Sequence, residues 1–296
     1  MTWQDRLGAV GVWRGATDTD PSLAAEAERL GYGTVWLGGS PPADLVAAER
    51  VLEATTSLVV ATGITNIWMT DPAELADAYH RVDARFPGRL LLGIGSGHRE
   101  ATPQRVRPLE AMSRYLDVLD ERGVPASARV LSALGPRMLA MSTARAVGTH
   151  PYLTVPSQSE RMRADLGPEA LVAPEQTVVL DTDEAAARTA ARDFLSRYLQ
   201  LDNYTSTMHR GGFTEADTAL PGSDRLVDAV VVHGDAAAVA SGVRAHLDAG
   251  ADHVCVQVVP ASGDVAGALG ALAEALGLSP REQRRGSGAR RCCGSW

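Results

Sequence analysis

The chain has 296 residues, 45% of them hydrophobic, which is enough to bury one large core or two small ones. Its formal net charge of -8, with no long basic run before the C-terminal tail, argues against a nucleic-acid partner. No apolar stretch has the length of a membrane span and the N-terminus lacks a signal-peptide pattern, so we expect a cytoplasmic protein with no membrane partner.

The cationic and sulfur-bearing residues exclude several chemistries. All 28 Lys+Arg residues are arginine, whereas a Schiff-base aldolase or a pyridoxal-phosphate enzyme requires a lysine amine. The 3 cysteines form no disulfide framework, because Cys255 lies in an apolar run and Cys292 and Cys293 are adjacent in the tail. No histidine pair has metal-ligand spacing and no G-x-S-x-G nucleophile motif occurs, so we predict no metal site.

Short apolar runs alternate with helical patterns along most of the chain. Asp20-Pro21 and Asp71-Pro72 each place a capping carboxylate before a proline, which is typical of a helix start. Glycines such as Gly31 follow several of the helical patterns, where they favour helix ends. The apolar runs that we predict as strands cover residues 7–13, 34–37, 58–62, 90–94, 129–134, 150–154, 176–180 and 253–259.

Eight strands separated by helices predict an α/β fold, specifically a (β/α)8 TIM barrel over residues 1–280. An open, doubly wound parallel sheet is the alternative, since strand counts from one sequence are error-prone. Residues 201–222 break the pattern and are interpreted as an insertion between strands seven and eight, placed over the mouth as a lid. Residues 281–296 have no apolar period, and we predict a disordered basic tail.

A glycine-rich stretch follows the apolar run at residues 90–94. Gly93, Gly95 and Gly97 leave backbone without side chains at a strand end, where a flat or anionic ligand can approach. The dinucleotide-binding motif G-x-G-x-x-G does not fit, because its third glycine would fall on His98 or on Glu100.

Several strand-end residues have two open interpretations each. The start Gly135-Pro136-Arg137 suits a phosphate, through free amide groups and a guanidinium, but it is also a plain turn into a helix. His98 is either a proton donor or a loop hydrogen-bonding residue, and His150 is either a site residue or a core histidine.

Three further side chains are equally ambiguous in the sequence. Trp13 and Trp68 are cofactor walls or packing residues, and Glu175 is a site carboxylate or a surface charge. Aromatic, glycine and amide residues recur at the strand ends. Such residues suit the binding of a planar cofactor that itself provides the reactive atoms.

Taken in order, several motifs give the chain a resemblance to a known family. They occupy residues 61–68, 71–72, 86–98, 133–139, 150–152, 173–176 and 251–257. With them the chain resembles the bacterial luciferase-like superfamily of flavin and deazaflavin oxidoreductases, most closely its coenzyme F420-dependent branch.

The resemblance implies a barrel that binds F420, or alternatively FMN, at the carboxyl ends of its strands. It implies a bulge or a non-prolyl cis peptide at Thr62-Gly63-Ile64 under the ring, with the phosphate at residues 135–138. The expected cofactor contacts are Thr62, Gly63, Ile64, Asn66, Gly95, Ser96, Gly97, Leu134, Gly135, Pro136, Arg137 and Met138. The expected substrate pocket comprises Trp13, Trp68, His150 and Glu175.

One departure from the family bears on catalysis. Deazaflavin sugar-phosphate dehydrogenases of this family have Asp-His after strand two, where this chain has Gly38-Gly39-Ser40, and they use lysines that this chain lacks. A sugar-phosphate substrate is therefore disfavoured and the catalytic base does not carry over. We predict that His98 handles the proton instead.

Three functions remain as hypotheses from the sequence. The first is hydride transfer between F420 and an unidentified small organic substrate. The second is an FMN-dependent monooxygenase that uses oxygen and takes reduced flavin from a partner reductase, and the third is a flavin-binding protein without turnover. The resemblance also implies a homodimer.

Overall fold

A computed structural model describes residues 2–97 and 107–279. Its strands are β1 Val10–Gly15, β2 Thr34–Gly38, β3 Val59–Gly63, β4 Thr65–Asn66, β5 Leu90–Gly95, β6 Arg129–Leu131, β7 Gly148–Thr149, β8 Leu171–Val172, β9 Glu175–Leu180, β10 Val231–Gly234 and β11 Val254–Val258. Its helices are α1 Trp3–Leu7, α2 Pro21–Leu30, α3 Val46–Glu53, α4 Pro72–Arg85, α5 Pro108–Glu121, α6 Pro136–Arg145, α7 Pro156–Leu166, α8 Glu184–Leu195, α9 Asp202–Arg210, α10 Glu215–Thr218, α11 Asp224–Val230, α12 Ala236–Asp248 and α13 Val265–Leu276.

The strands close into a parallel barrel. From β1 the sheet runs through β2, β3, β5, β6 and β7 to β8, and on the other side β1 pairs with β11, which pairs with β9. β8 and β9 are successive parts of residues 171–180, so this one segment joins the two ends of the sheet. Between them, the Ala173 N–H donates to Thr149 at 2.9 Å and the Pro174 carbonyl accepts from Cys255 at 3.0 Å. The predicted TIM barrel is confirmed, and the open sheet is excluded.

Alternate side chains of the strands fill the barrel interior. Trp36, Leu91, Val130 and Leu171 belong to one buried cluster there, and Leu7 of α1 belongs to the same cluster at the amino ends of the strands. The other strand faces pack on the helices in a larger cluster. Burial on both faces explains why the strands appear in the sequence as continuous apolar runs.

The insertion lies between β9 and β11, as predicted, and it contributes Tyr204, Met208 and Phe213 to a buried cluster that it shares with α8 and α11. α9 and α10 occupy the part of the chain where the sequence pattern breaks. β10, which pairs in parallel with β9, was not predicted. A four-residue strand next to a helix end offers too few positions for a period to be recognised.

Two predicted strands were misplaced. The first was expected at 7–13, but Leu7 ends α1 and Gly8 caps that helix with a φ of 70°, so the strand begins at Val10. The sixth was expected at 150–154, but β7 ends at Thr149. Pro151 has no N–H to donate and Leu153 has a φ of 54°, so the run cannot continue a ladder. His150 is consequently the first residue beyond the strand.

Some predictions fall outside the described residues, namely His98 and the tail at 281–296. Within residues 2–97 and 107–279, no helix is both long enough and apolar enough to cross a bilayer.

A carboxylate of α2 holds the turn that leads into β3. Glu28 accepts hydrogen bonds from the backbone N–H groups of Thr56 at 3.0 Å, Ser57 at 2.6 Å and Leu58 at 2.9 Å. Partial burial raises the pKa of Glu28, but these hydrogen bonds outweigh it and the pKa is lowered overall. The contact fixes the start of the strand that ends at Gly63.

We expect Glu28→Gln to lower the free energy of unfolding at pH 7 by about 1.5–3 kcal/mol, because an amide N–H₂ then faces backbone donors. Since folding lowers the pKa of Glu28, its stabilisation is present above pH 4.5 and is lost as the pH falls through the folded value. Urea unfolding at pH 7 and pH 3 measures the effect. Glu26→Gln, on an exposed ion pair of the same helix, is the control and should change stability little. Equal stability of wild type and Glu28→Gln at pH 7 would contradict the assignment.

Candidate functional site

A cavity of about 670 Å³ opens at the carboxyl ends of the barrel strands. Its volume lies within the usual range for ligand pockets, about 300–1,000 Å³. A second cavity, of about 720 Å³, lies at the amino ends of the strands beside Trp3 and Ser127. Active sites of this fold lie at the carboxyl ends, so the first cavity is the candidate site.

Most of the residues expected from the sequence line this cavity. They are Trp13, Gly63, Ile64, Asn66, Ser96, Gly97, Leu134, Met138 and His150. Two others lie beneath it: Thr62 is buried and donates to the Gly93 carbonyl at 2.8 Å, and Gly95 packs against Ile64. These expected residues therefore come together at one end of the barrel.

Glycines at the ends of β2 and β3 let two rings approach the cavity floor. A Cβ atom on Gly38 would lie 1.9 Å from the Trp13 ring. A Cβ atom on Gly63 would lie 2.8 Å from Trp13 Nε1 and 3.4 Å from His150 Nε2. The Gly63–Ile64 peptide bond is cis, at the place that the family resemblance indicated.

Trp68 holds the glycine-rich loop and does not line the cavity. Its indole N–H donates to the Ser96 carbonyl at 2.7 Å, and its backbone N–H donates to Asn66 Oδ1 at 3.0 Å. Gly97 has a φ of 54°, and a Cβ atom there would lie 2.5 Å from Asn66 Nδ2. The loop thus packs on Asn66 as it enters the segment that contains His98.

His150 is fixed at the end of β7 with its ring at the cavity. Its Nδ1 donates to the Ala173 carbonyl at 2.7 Å, and its ring stacks on Trp36 with 3.9 Å between centroids. Burial lowers the pKa of His150 to about 4, against a smaller opposite effect of the Ala173 hydrogen bond. The imidazole is therefore neutral at neutral pH.

A polar aromatic wall faces these rings. The Tyr152 hydroxyl donates to Gln257 Oε1 at 2.7 Å and lies 3.1 Å from the Tyr198 hydroxyl. Tyr198 follows α8 and Tyr204 lies in α9, so the insertion supplies part of the wall. Tyr152 and Gln257 stand at strand ends where the sequence could have indicated them. Tyr198 and Tyr204 carry no such signal.

Glu175 lies behind this wall and does not line the cavity. It is buried, and it accepts hydrogen bonds from the Thr177 hydroxyl at 2.6 Å and from the Leu153 N–H at 3.4 Å. Burial raises the pKa of Glu175 to about 8, although these hydrogen bonds act in the opposite direction. Neither sequence interpretation anticipated a buried carboxyl behind Tyr152.

The start of α6 forms one rim of the cavity. Gly135 is its N-cap with no side-chain capping bond, and a Cβ atom there would meet nothing within 4 Å. Leu134 and Met138 line the cavity, whereas Pro136 and Arg137 are exposed beside it. Free amide groups and the helix dipole favour an anion at such a start.

An arginine of the insertion, missed in the sequence, also reaches this rim. Arg210 of α9 donates to the Leu134 carbonyl at 3.3 Å and to the Thr207 hydroxyl at 2.8 Å. Its guanidinium therefore lies one residue from the helix start and adds positive charge there.

Comparison with known proteins gives one family match. The sequence model of luciferase-like monooxygenases matches residues 16–121. No curated protein matches the chain.

Solved structures match over almost the whole chain. An F420-dependent secondary alcohol dehydrogenase in complex with an F420-acetone adduct is 16% identical, with a TM-score of 0.71 over 93% of this chain and 99% of that one. The coenzyme F420-dependent tetrahydromethanopterin reductase of Methanopyrus kandleri is 18% identical, with a TM-score of 0.67 over 90% and 98%. The oxygenating constituent of 3,6-diketocamphane monooxygenase from Pseudomonas putida, in complex with FMN, is 13% identical, with a TM-score of 0.65 over 92% and 98%.

At these identities the structural likeness establishes the fold. Together with the family match over residues 16–121, it confirms the resemblance seen in the sequence: this part of the chain is similar to luciferase-like monooxygenases, and the barrel is similar to those of F420-dependent enzymes and of a flavin monooxygenase.

Proposed function

We propose that this protein is an oxidoreductase that transfers a hydride between coenzyme F420 and a small organic substrate. The observation that carries the proposal is the mouth cavity, with a glycine floor at Gly63 and an uncapped helix start at Gly135 on its rim. A planar ring with a phosphate-bearing side chain matches these two features. The F420-dependent branch is the part of the family that the sequence resembles most.

The residues present fit such a group. No side chain stands at Gly39, Gly63 or Gly135, and a Cβ atom at Gly39 or Gly135 would meet nothing within 4 Å. When bound, F420 would supply the ring carbon that gives or accepts the hydride. The chain would hold the ring against residues 63–64 and the phosphate at residues 135–138, with Arg137 and Arg210 adding charge.

The substrate side of the cavity would be the wall of Trp13, Tyr152, Tyr198, Tyr204 and Gln257. These side chains combine apolar rings with hydroxyl and amide groups, which suits an organic molecule with an oxygen function. The insertion would exclude water from this side. The role of His98 in proton transfer remains a prediction from the sequence.

Titration of the purified protein with F420 and with FMN, followed by calorimetry, tests the cofactor. We expect micromolar binding of F420, about -8 kcal/mol, and no binding of FMN. FMN binding without F420 binding would contradict the proposal and support the monooxygenase. Binding of F420 without turnover in a substrate screen would support a non-catalytic flavin-binding protein.

Substitution at the helix start tests the phosphate position. Gly135→Asp should weaken F420 binding at least about tenfold, because it places a carboxylate against the phosphate. Aspartate and asparagine are both good N-cap residues, and the site has room for either, so stability should not fall. Gly135→Asn is therefore the neutral control, measured by the same titration. Equal affinities for the two variants would remove α6 from the site.

The buried carboxyl gives a pH dependence of stability. Because burial raises the pKa of Glu175 to about 8, the folded state retains a proton that the unfolded state loses near pH 4.5. The contribution of Glu175 to the free energy of unfolding, measured as the difference between wild type and Glu175→Gln, should therefore fall between pH 5 and 8, on the order of a few kcal/mol, and level off above pH 8. The lowered pKa values of His150 and His246 act in the opposite direction, but they do so in both proteins. Unfolding of both proteins in urea across that range measures the difference. Parallel pH profiles would show that Glu175 is ionised in the fold.

A further inference from the structure

We propose that residues 280–296 of this chain bind in the second cavity, an open groove at the amino ends of the barrel strands. This base groove is lined by residues that include Trp3, Tyr79, Asp83, Leu90, Ser127 and Glu169. It lies at the opposite end of the barrel from the mouth cavity, so the inference does not depend on the proposed hydride transfer.

The floor of the base groove is apolar and aromatic. The rings of Trp3 and Tyr79 line it together with Leu90, and Val147 and Leu166 lie beside them. Apolar groups that face water favour an occupant that covers them. The volume of about 720 Å³ gives room for several side chains of such an occupant.

A buried hydroxyl group in the base groove also lacks a partner. Tyr79 is only 6% exposed, and within residues 2–97 and 107–279 its hydroxyl has no hydrogen-bond partner. Burial and the nearby Asp83 raise the pKa of Tyr79, so the hydroxyl stays protonated and can both donate and accept. A peptide segment offers carbonyl and N–H groups that satisfy it.

The charged groups of the base groove include two carboxylates without a salt bridge. Asp83 accepts from the Gly88 N–H at 3.0 Å, and neither Asp83 nor Glu169 forms a salt bridge with a described residue. Arg6 lines the same groove and donates to the Gly88 carbonyl at 3.2 Å. The groove therefore favours an occupant that carries positive charge.

The described chain ends on the same face of the barrel. A Cβ atom on Gly31, which follows α2, would lie 2.6 Å from the Ser279 carbonyl oxygen. Gly33 donates to Val10 at the start of β1, so Ser279 lies at the amino ends of the strands. Residues 280–296 can span about 55 Å when extended, whereas a domain of this size has a radius of gyration of about 19 Å. The base groove is therefore within their reach.

This segment has side chains that complement the groove. Trp296 provides an indole ring that covers the apolar floor. The arginines provide planar forks for Asp83 and Glu169. The segment has five arginines and one glutamate, although the whole chain has a net charge of -8, so the rest of the protein is acidic. The arginines are Arg281, Arg284, Arg285, Arg290 and Arg291.

Disulfide trapping in the full chain tests the inference, because Cys292 and Cys293 lie in the segment and Cys255 is buried. Ser127→Cys places a thiol on the exposed rim of the base groove. Ser22→Cys, exposed at the start of α2 near the mouth, is the matched control. In a glutathione buffer, we expect an intramolecular disulfide with the segment to form at least about tenfold faster in Ser127→Cys. Mass spectrometry of tryptic peptides identifies the linked cysteines.

The outcomes of this experiment are distinct. Equal rates for the two variants would overturn the inference and support the disordered tail that the sequence predicts. Disulfide-linked dimers of Ser127→Cys would also overturn it, because the segment of a second copy would then occupy the groove. If Ser127→Cys does not fold, Thr143→Cys replaces it, since Thr143 is exposed on the same groove.

Charge reversal in the Ser127→Cys protein tests the contacts. Glu169→Arg should slow disulfide formation at least about fivefold at low salt, because it repels the arginines of the segment. Glu160→Arg, on an exposed position of α7, is the control and should leave the rate unchanged. Trp296→Ala should slow the reaction as well. Unchanged rates for both Glu169→Arg and Trp296→Ala would show that the segment does not bind as proposed.

Discussion

The hydrogen bonds of residues 171–180 hold the barrel closed, and the site depends on the same segment. The Ala173 N–H pairs with Thr149, while the Ala173 carbonyl accepts from His150. Two residues later the Glu175 N–H pairs with Pro151, and its buried carboxyl lies behind Tyr152. The same short segment therefore closes the sheet and orients the residues at the mouth of the barrel.

The absence of side chains at two glycines, Gly38 and Gly63, shapes the floor of the cavity. Trp13 lies across Gly38, and Trp13 and His150 both approach Gly63, because neither glycine has a Cβ atom. Among the described residues, Trp13 Nε1 is buried without a hydrogen-bond partner, and it lies beside Gly63 and the His150 ring. The two glycines thus allow the Trp13 and His150 rings to lie close together at the mouth of the barrel.

The sequence predicted the barrel because most strands are buried on both faces and several helices start with a recognisable cap, as at Asp71-Pro72. It misplaced the sixth strand, since an apolar run does not reveal where a ladder ends. Pro151 was the available signal. It missed β10, which is too short to show a period.

The site was predicted where it depends on strand ends and missed where it depends on the insertion. Gly63, Ile64 and Asn66 follow a strand, so their position at the mouth was deducible. Tyr198, Tyr204 and Arg210 reach the cavity through tertiary packing, which no local pattern encodes. The burial of Glu175 was likewise not predicted, because the burial of a single carboxyl group depends on tertiary packing around it.

Helix α9 touches both ends of the cavity, through Tyr204 at the aromatic wall and Arg210 at the rim beside Leu134. The barrel is closed by pairing between strands alone, and α9 takes no part in that pairing. Part of the cavity surface is therefore formed by a helix that lies outside the sheet. Substitutions in α9 can therefore change part of the cavity wall without altering the strands of the barrel.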